Sequence, residues 1–183
     1  IDLVFNIGIG EKLSHAPKHK PHLASLLELL QVPYTGSSPF TMLLSFDKIR
    51  FKKILAYHDI PTPEWDYLYS MKDTLNEEMT FPLIVKPAAA VHAVGITQES
   101  VVTNKKELKR QLEFIIRDMG MPALVEKYIP GDEYEAYILG NDQGNLQVLP
   151  LNRSIFDAMP SDQWHVHTYD SKFSKFDDSH PIQ

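Results

Sequence analysis

Two short apolar segments, each followed at once by a charged residue, constrain the fold of this chain more than any other feature. The first is LIV at residues 83–85, which precedes Lys86, and the second is LV at residues 124–125, which precedes Glu126. Short apolar runs rich in β-branched residues and bounded by proline or turn residues are typical of covered β-strands. The sequence therefore predicts two buried strands that each carry an ion at one end, and such strands rarely serve the core alone.

The chemistry of these charged residues suits a nucleotide. A lysine that leaves a strand end has a flexible stem and a compact charge, which can bind phosphate. Residues 127–129 (KYI) precede a Pro-Gly turn and can present backbone groups and an apolar side chain to a flat base. Glu133 only accepts hydrogen bonds, which suits the hydroxyls of a ribose. The predicted nucleotide contacts are Lys86, Glu126, Lys127, Tyr128, Ile129 and Glu133.

A simpler interpretation competes with this one. Lys86 and Glu126 are each, taken alone, more often strand-end charges that reach solvent. Their occurrence in this order, with Glu133 seven positions after Glu126, favours the nucleotide site instead.

Several motifs in the same order resemble the ATP-grasp superfamily, and within it the D-alanine:D-alanine ligase group. The resemblance covers nearly the whole chain. Its motifs are PYTGSSP at 33–39, Asp47-Lys48, IPTPEW at 60–65, IVKP at 84–87, VGI at 94–96 and VEKYIPGDE at 125–133.

The resemblance implies an enzyme that grips ATP between two antiparallel sheets and activates a carboxylate as an acyl phosphate, which an amine then attacks. Its partners would be ATP and a small carboxylate or amino-acid substrate, and its location cytoplasmic. Magnesium would be a second cofactor, with its ligands expected beyond the end of this chain. The resemblance also places Lys48 beside the phosphates and allows a homodimer. Asp47 is then better explained as a helix cap than as a catalytic acid.

The predicted fold class is α/β and α+β, in an ATP-grasp arrangement. The end of an N-terminal α/β domain is expected at residues 1–46, the ATP-binding subdomain at 47–139, and the start of a truncated C-terminal subdomain at 140–183. Apolar periodicity and turn residues predict the individual elements. Helices are expected near 21–30, 39–46, 47–58, 73–79 and 105–119, and further strands at 1–7, 32–34, 64–69, 134–139 and 146–151, with a hairpin turn at 141–144.

The loop after Lys86 departs from the family pattern. Relatives carry a Gly- and Ser-rich loop there, which closes over the triphosphate, whereas residues 88–93 read AAAVHA. Alanine favours helix or strand and disfavours the positive φ that a phosphate-binding turn requires. His92 is a candidate to donate a hydrogen bond to phosphate, although a lone histidine in such a loop is more often packed or exposed. The sequence therefore supports ATP binding more strongly than γ-phosphate transfer.

The C-terminal part offers few further candidates. Relatives hold magnesium with acidic residues on late strands, and neither Asn152-Arg153 nor Asp177-Asp178 matches that pattern. His165 and His167 could share a metal, but no third ligand is evident, so two surface or half-buried histidines are the preferred interpretation. Tyr169-Asp170 resembles a mobile loop whose lysine reaches the phosphates. Lys172 and Lys175 are both candidates for that lysine and, with His92, are the candidate catalytic residues.

Composition excludes several classes of function. The chain has 183 residues, a formal net charge of -6 and no basic run longer than a pair, so a nucleic-acid surface has little support. No apolar run approaches the roughly 20 residues needed to span a membrane, and no signal-peptide pattern opens the chain. The absence of cysteine excludes disulfides and thiolate chemistry. Because the chain opens on a strand-like segment without methionine, we expect preceding sequence to have been lost or trimmed.

Two alternatives to a ligase remain open. One is a nucleotide-binding module without catalysis, either a decayed or a truncated ATP-grasp paralogue, which the alanine-rich loop favours. The other is a carboxylase-type or peptide-modifying grasp protein, which would share the ATP motifs and differ only in the acceptor.

Overall fold

The computed structural model describes residues 2–7, 23–141, 144–173 and 182. The chain divides into two compact units. The first comprises residues 1–62 and 88–91, and the second comprises residues 63–87 and 92–183. The predicted boundaries of the three domains stay a prediction.

The described part of the first unit contains three helices, α1 (Leu23–Leu29), α2 (Pro39–Phe46) and α3 (Lys48–Tyr57). The N-termini of α2 and α3 are capped by the side chains of the residues that precede them. The Ser38 hydroxyl accepts a hydrogen bond from the Thr41 N–H at 3.3 Å, and the Asp47 carboxylate accepts one from the Arg50 N–H at 2.9 Å. Such caps satisfy amide groups that have no partner within the helix. The predicted helices at 39–46 and 47–58 and the capping role of Asp47 are confirmed.

Strand pairing in the first unit is shorter than predicted. The expected strands at 1–7 and 32–34 meet in a parallel bridge between Val4 and Tyr34. Backbone hydrogen bonds from the Val4 N–H to the Pro33 carbonyl, at 2.8 Å, and from the Thr35 N–H to the Val4 carbonyl, at 3.0 Å, hold this bridge. The two segments predicted as strands therefore pair with each other over one residue of each.

The second unit is built on a four-stranded antiparallel sheet. Its strands are β1 (Trp65–Leu68), β2 (Leu83–Pro87), β3 (Val101–Val102) and β4 (Ala123–Lys127), in the spatial order β1-β4-β2-β3. The two apolar segments of the sequence are thus the central strands and pair with each other. Ile84 lies opposite Glu126, and Lys86 lies opposite Leu124.

The two faces of this sheet have different roles, because side chains alternate along a strand. On one face Leu83, Val85 and Val125 pack against Leu112 and Ile115, and all five side chains are buried. These apolar contacts form the main core and supply most of the stability of the unit. The other face carries Ile84, Lys86 and Glu126, and the candidate site lies there.

The helix that covers the core face is α4 (Lys105–Glu113), followed by a π-helical segment at Phe114–Asp118. Together they confirm the helix predicted at 105–119, although its last turns are wider than an α-helix. The Asn104 side chain caps α4 by accepting hydrogen bonds from the N–H groups of Lys106 and Glu107, at 3.1 and 3.0 Å.

The helix predicted at 73–79 is wrong. Turns occupy this region, because two aspartates bond to the backbone in place of a helix. The Asp73 carboxylate accepts hydrogen bonds from the N–H groups of Tyr69 and Ser70, at 2.7 and 2.9 Å. The Asp66 carboxylate accepts one from the Asn76 N–H at 2.8 Å.

The strand predicted at 134–139 is divided between two small sheets, whereas the strand predicted at 146–151 is reduced to Gln147–Val148. β5 (Glu133–Glu135) pairs with β8 (Asn152–Ser154), and β6 (Ile138–Leu139) pairs with β7 (Gln147–Val148), both antiparallel. Residues 142 and 143 of the predicted hairpin turn lie outside the described residues. A short helix, α5 (Tyr169–Phe173), follows.

Within the described part of the chain, no helix combines the length and the apolar character that crossing a bilayer requires.

Candidate nucleotide site

A groove of about 150 Å³ lies in the second unit. It brings together residues that are distant in sequence. Six of them are predicted site residues, Lys86, Glu126, Lys127, Tyr128, Ile129 and Glu133. Sequence reasoning missed the others, Pro63, Ile84, Gly131, Asp132, His165 and Val166.

An ion pair between Lys86 and Glu126 lines this groove. The Lys86 Nζ lies 2.9 Å from the Glu126 Oε2. The two residues come from adjacent strands, two positions apart in register, so their side chains meet diagonally on one face of the sheet. The Glu126 side chain is only 7% exposed, whereas that of Lys86 is 31% exposed. The pair therefore stabilises a buried carboxylate and leaves the ammonium accessible to an anion.

The Lys127 side chain is not directed at a ligand. Its Nζ donates hydrogen bonds to the carbonyl oxygens of Thr80 and Phe81, at 2.8 and 3.0 Å. Its N–H donates to the Glu64 carbonyl at 2.8 Å. Lys127 thus ties β4 to the two segments beside it.

Ile129 provides the free backbone group that the sequence led us to expect in this stretch. The Tyr128 N–H donates to the Pro82 carbonyl at 3.1 Å, whereas the Ile129 N–H has no hydrogen-bond partner among the described residues. The Ile129 side chain is 61% exposed. An unpaired N–H beside an exposed apolar side chain is suited to the edge and the face of an aromatic base.

Tyr128 lines the groove and belongs to a second cluster of buried side chains, separate from the main core. Its ring packs with Ile84, Val101 and Val166 and meets the ring of Trp164 edge-on, with centroids 5.1 Å apart. Burial raises the pKa of the Tyr128 hydroxyl, and the charge of Glu133 acts in the same direction. The hydroxyl therefore keeps its proton at neutral pH and can donate a hydrogen bond.

The two acidic residues at the groove edge differ in their availability. The Asp132 Oδ2 accepts hydrogen bonds from Arg153, with 2.7 Å to Nε and 2.6 Å to Nη2. This pair raises the pKa of the Arg153 guanidinium further. Glu133 begins β5 opposite Ser154 and is exposed. Arg153 is thus bound to a carboxylate, and Glu133 is the acid left for a ligand hydroxyl.

The remaining predicted site residues do not line the groove. Lys48 belongs to the first unit, where its Nζ donates to the Ala90 carbonyl and its N–H donates to the Ala88 carbonyl at 3.0 Å. Lys172 lies in α5, is exposed, and contributes to lowering the pKa of Glu135, after a hydrogen bond from Tyr137 as the main cause. Lys175 lies outside the described residues.

The conformation predicted for the loop after Lys86 is wrong. Residues 88–95 form turns and not a helix or strand. His92 and Ala93 adopt φ values of 54° and 55°, in the left-handed region that alanine was expected to avoid. Gly95 has a φ of +78°, and a Cβ there would lie 2.8 Å from the Pro87 Cγ, so this position requires glycine. His92 is exposed.

The described residues contain no group of three or more histidine or acidic side chains that could hold a metal ion. These described residues therefore do not fit a magnesium site. His165 and His167 both pack against Phe156, with ring centroids 5.1 and 5.4 Å away.

Comparison with known proteins agrees with the resemblance seen in the sequence. The family model for the C-terminal part of D-Ala-D-Ala ligases matches residues 53–182. D-alanine–D-alanine ligase A of Bacillus cereus is 38% identical over 120 residues, which cover 64% of this chain and 38% of that protein. The D-alanine–D-alanine ligase of Desulfotalea psychrophila is 32% identical over 158 residues, which cover 82% of this chain and 45% of that protein.

Solved structures show the same relationship. The crystal structure of D-alanine–D-alanine ligase from Bacillus anthracis complexed with ATP superposes with a TM-score of 0.52 and 32% sequence identity, covering 74% of this chain and 39% of that one. The chain spans less than half the length of each of these three relatives. With a family model that matches most of its residues, the chain belongs to the D-alanine–D-alanine ligase family and has the ATP-grasp fold.

Proposed function

We propose that this chain binds ATP in the groove around Lys86, as part of an ATP-dependent carboxylate–amine ligase of the D-alanine:D-alanine type. The observation that carries the proposal is the convergence of a reachable ammonium, an apolar slot and a free carboxylate in one groove of the second unit. Membership of a family with a member crystallised with ATP supports this choice of ligand.

The base would occupy the apolar part of the groove. Ile84 of β2 lines it, together with Ile129 and Val166 from two separate loops. Their side chains would contact the faces of a purine, and the Ile129 N–H would donate to a ring nitrogen. Such a slot, with few polar groups to fix orientation, is typical of nucleotide and cofactor sites.

The sugar and the phosphates would lie toward the charged residues. Glu133 would accept hydrogen bonds from the ribose hydroxyls, because an ionised carboxylate only accepts. Lys86 would bind phosphate while it remains paired with Glu126, whose charge holds the ammonium in place. We retain Lys48 as a phosphate ligand on the family resemblance alone.

The reaction proposed for the ligase has two steps. A carboxylate oxygen attacks the γ-phosphorus of ATP, and ADP leaves, which forms an acyl phosphate. An amine nitrogen then attacks the acyl carbon, phosphate leaves, and the nitrogen loses a proton to give the amide. The groove residues would act by positioning and by charge neutralisation. A homodimer and a cytoplasmic location are part of the same proposal and have the support of the family resemblance.

Calorimetric titration with Mg-ATP tests the binding step. Lys86→Met should raise the dissociation constant for ATP by about tenfold or more, because a charge-assisted phosphate contact is lost. Glu133→Gln should weaken ATP but not inorganic tripolyphosphate, which has no ribose. Lys109→Met, which removes an exposed lysine of α4, is the control and should bind ATP like the wild type. A wild-type chain that binds no ATP would refute the proposal.

A binding module without catalysis is the second candidate. The specific observation in its favour is the loop at residues 88–93, which lacks the glycine, serine and carboxylate that the family uses over the triphosphate. Incubation with Mg-ATP and a panel of D-amino acids separates the two functions. The ligase releases ADP only when its amino acid is present, and the binding module releases none with any of them.

A further inference from the structure

Two residues on one side of the groove, His165 and Val166, follow directly after Trp164, and we call these three consecutive residues the 164–166 wall. His165 and Val166 line the groove directly, and Val166 is 4% exposed. This wall is far in sequence from the strands that carry Lys86 and Glu126. Its position relative to them therefore depends on tertiary contacts, and not on the sheet alone.

The side chain of Gln98 makes hydrogen bonds to both the N–H and the carbonyl of Trp164, the first residue of the wall. The Gln98 Nε2 donates to the Trp164 carbonyl at 3.1 Å, and the Trp164 N–H donates to the Gln98 Oε1 at 2.7 Å. The side-chain amide thus pairs with a peptide group as a neighbouring β-strand would. A primary amide has both a donor and an acceptor, so a single side chain can make this pair.

A tyrosine hydroxyl holds the second residue in the same way. The His165 N–H donates to the Tyr128 Oη at 3.1 Å, and the Tyr128 hydroxyl lies 3.3 Å from the His165 carbonyl, to which it donates. Tyr128 is 6% exposed and packs in one buried cluster with Ile84 and Val166. The wall is therefore bonded through its backbone at two successive residues.

Gln98 is itself rigidly placed. It begins a 3-10 turn at Gln98–Ser100, which runs directly into β3. The buried Ser100 hydroxyl accepts a hydrogen bond from the Thr97 N–H at 3.0 Å, which closes the turn. Because β3 pairs with β2, the Gln98 amide has a fixed relation to the strand that carries Lys86.

We propose that Gln98 and Tyr128, through its hydroxyl, are positioning residues that set the distance between the 164–166 wall and Ile84, and so determine affinity for the base of the nucleotide. The inference rests on the proposed function and deepens it. Neither the Gln98 amide nor the Tyr128 hydroxyl needs to touch the ligand. Their effect is therefore expected on ligands that contain the base and not on the phosphate contact of Lys86.

Amide hydrogen exchange tests the structural half of this proposal without any ligand. Gln98→Met keeps the length of the side chain and removes both of its hydrogen bonds. Exchange of the Trp164 N–H should then rise by about tenfold or more, while exchange in β2 and β4 stays as in the wild type. Gln163→Met, which makes the same substitution at an exposed neighbour of the wall, should leave the Trp164 N–H unchanged.

Titration with three ligands tests the functional half. In Gln98→Met the dissociation constants for ATP and adenosine should rise by about tenfold, while that for inorganic tripolyphosphate stays within about twofold of the wild-type value. Tyr128→Phe keeps the buried ring, removes only the hydroxyl, and should give the same selective loss. It also serves as the second variant if Gln98→Met does not fold.

The outcomes separate the two proposals. A wild-type chain that binds no ATP refutes the proposed function, and this inference fails with it. If the wild type binds ATP and both variants bind it equally well, only the positioning role is refuted. An equal loss of affinity for tripolyphosphate also refutes it, because a general structural defect, and not the position of the wall, would then explain the result.

Discussion

Ala93 is a residue whose backbone conformation carries a cost that can be measured. Its φ of 55° lies in the left-handed region, where an alanine side chain crowds the following carbonyl at a cost of about 1–2 kcal/mol. Ala93→Gly removes this crowding. Glycine also raises the conformational entropy of the unfolded chain, which offsets about 0.4–1 kcal/mol of the gain in stability. We expect a net increase of about 0.5–1 kcal/mol in the free energy of unfolding, measured by urea denaturation.

A matched substitution in the same loop separates conformation from composition. Ala89 is exposed and has no positive φ, so Ala89→Gly should lower the free energy of unfolding by about 0.4–1 kcal/mol. The sign of the effect should thus differ between two alanines four positions apart. Destabilisation by Ala93→Gly as large as that by Ala89→Gly would contradict the strain argument.

Individual residues also show how far the sequence could predict the groove. Lys86 and Glu126 were identified because each ends an apolar strand, and the register of β2 with β4 brings them together. The direction of the Lys127 ammonium was not predictable, because its carbonyl partners lie some 46 residues earlier in the chain. His165 and Val166 were missed for the same reason, since no local pattern places them beside β2.

At the scale of elements, the start of α4 depends on a carboxylate in its own first turn, which reaches back to the residue before the N-cap. The Glu107 Oε2 accepts hydrogen bonds from the Thr103 N–H at 2.7 Å and from the Thr103 Oγ1 at 2.9 Å. The backbone bond is the main cause that lowers the pKa of Glu107 below its ordinary value. A group with a lowered folded-state pKa contributes stability above its unfolded-state pKa, and that contribution disappears as the pH falls through the folded-state value.

The resulting prediction concerns the pH dependence of stability. The difference in free energy of unfolding between wild type and Glu107→Gln should be largest above about pH 5 and should shrink as the pH falls toward 3. Urea denaturation over this pH range measures it. Glu77→Gln removes one exposed loop carboxylate and is the control for the change in net charge. A difference that grows on acidification would contradict a folded-state pKa of Glu107 that lies below its unfolded-state value.

Elements were predicted well where apolar periodicity determines them and poorly where side chains bond to the backbone. The long apolar stripe of α4 and the two apolar runs of β2 and β4 appear nearly as expected. The segment 73–79 did not become a helix, because the carboxylates of Asp66 and Asp73 take nearby N–H groups. Strands β5 to β8 were shifted or divided, since pairing partners and not the local sequence fix where an exposed strand ends.

At the scale of the whole molecule, the division into two units gives a selective measurement of nucleotide binding. Both tryptophans of the chain, Trp65 and Trp164, lie in the second unit, which also contains the groove. Tryptophan emission during urea denaturation therefore follows the unfolding of that unit. A ligand that binds only the folded state raises the free energy of unfolding according to its concentration relative to its dissociation constant.

We expect ATP at 100 times its dissociation constant to raise the free energy of unfolding of the second unit by about 2.7 kcal/mol. At the same ATP concentration Lys86→Met should show an increase smaller by about 1.4 kcal/mol, because its affinity is about tenfold lower. Lys109→Met should show the full increase. Since the stabilisation follows from affinity alone, a saturating concentration of ATP that leaves the tryptophan-monitored midpoint unchanged would mean that ATP does not bind the folded second unit.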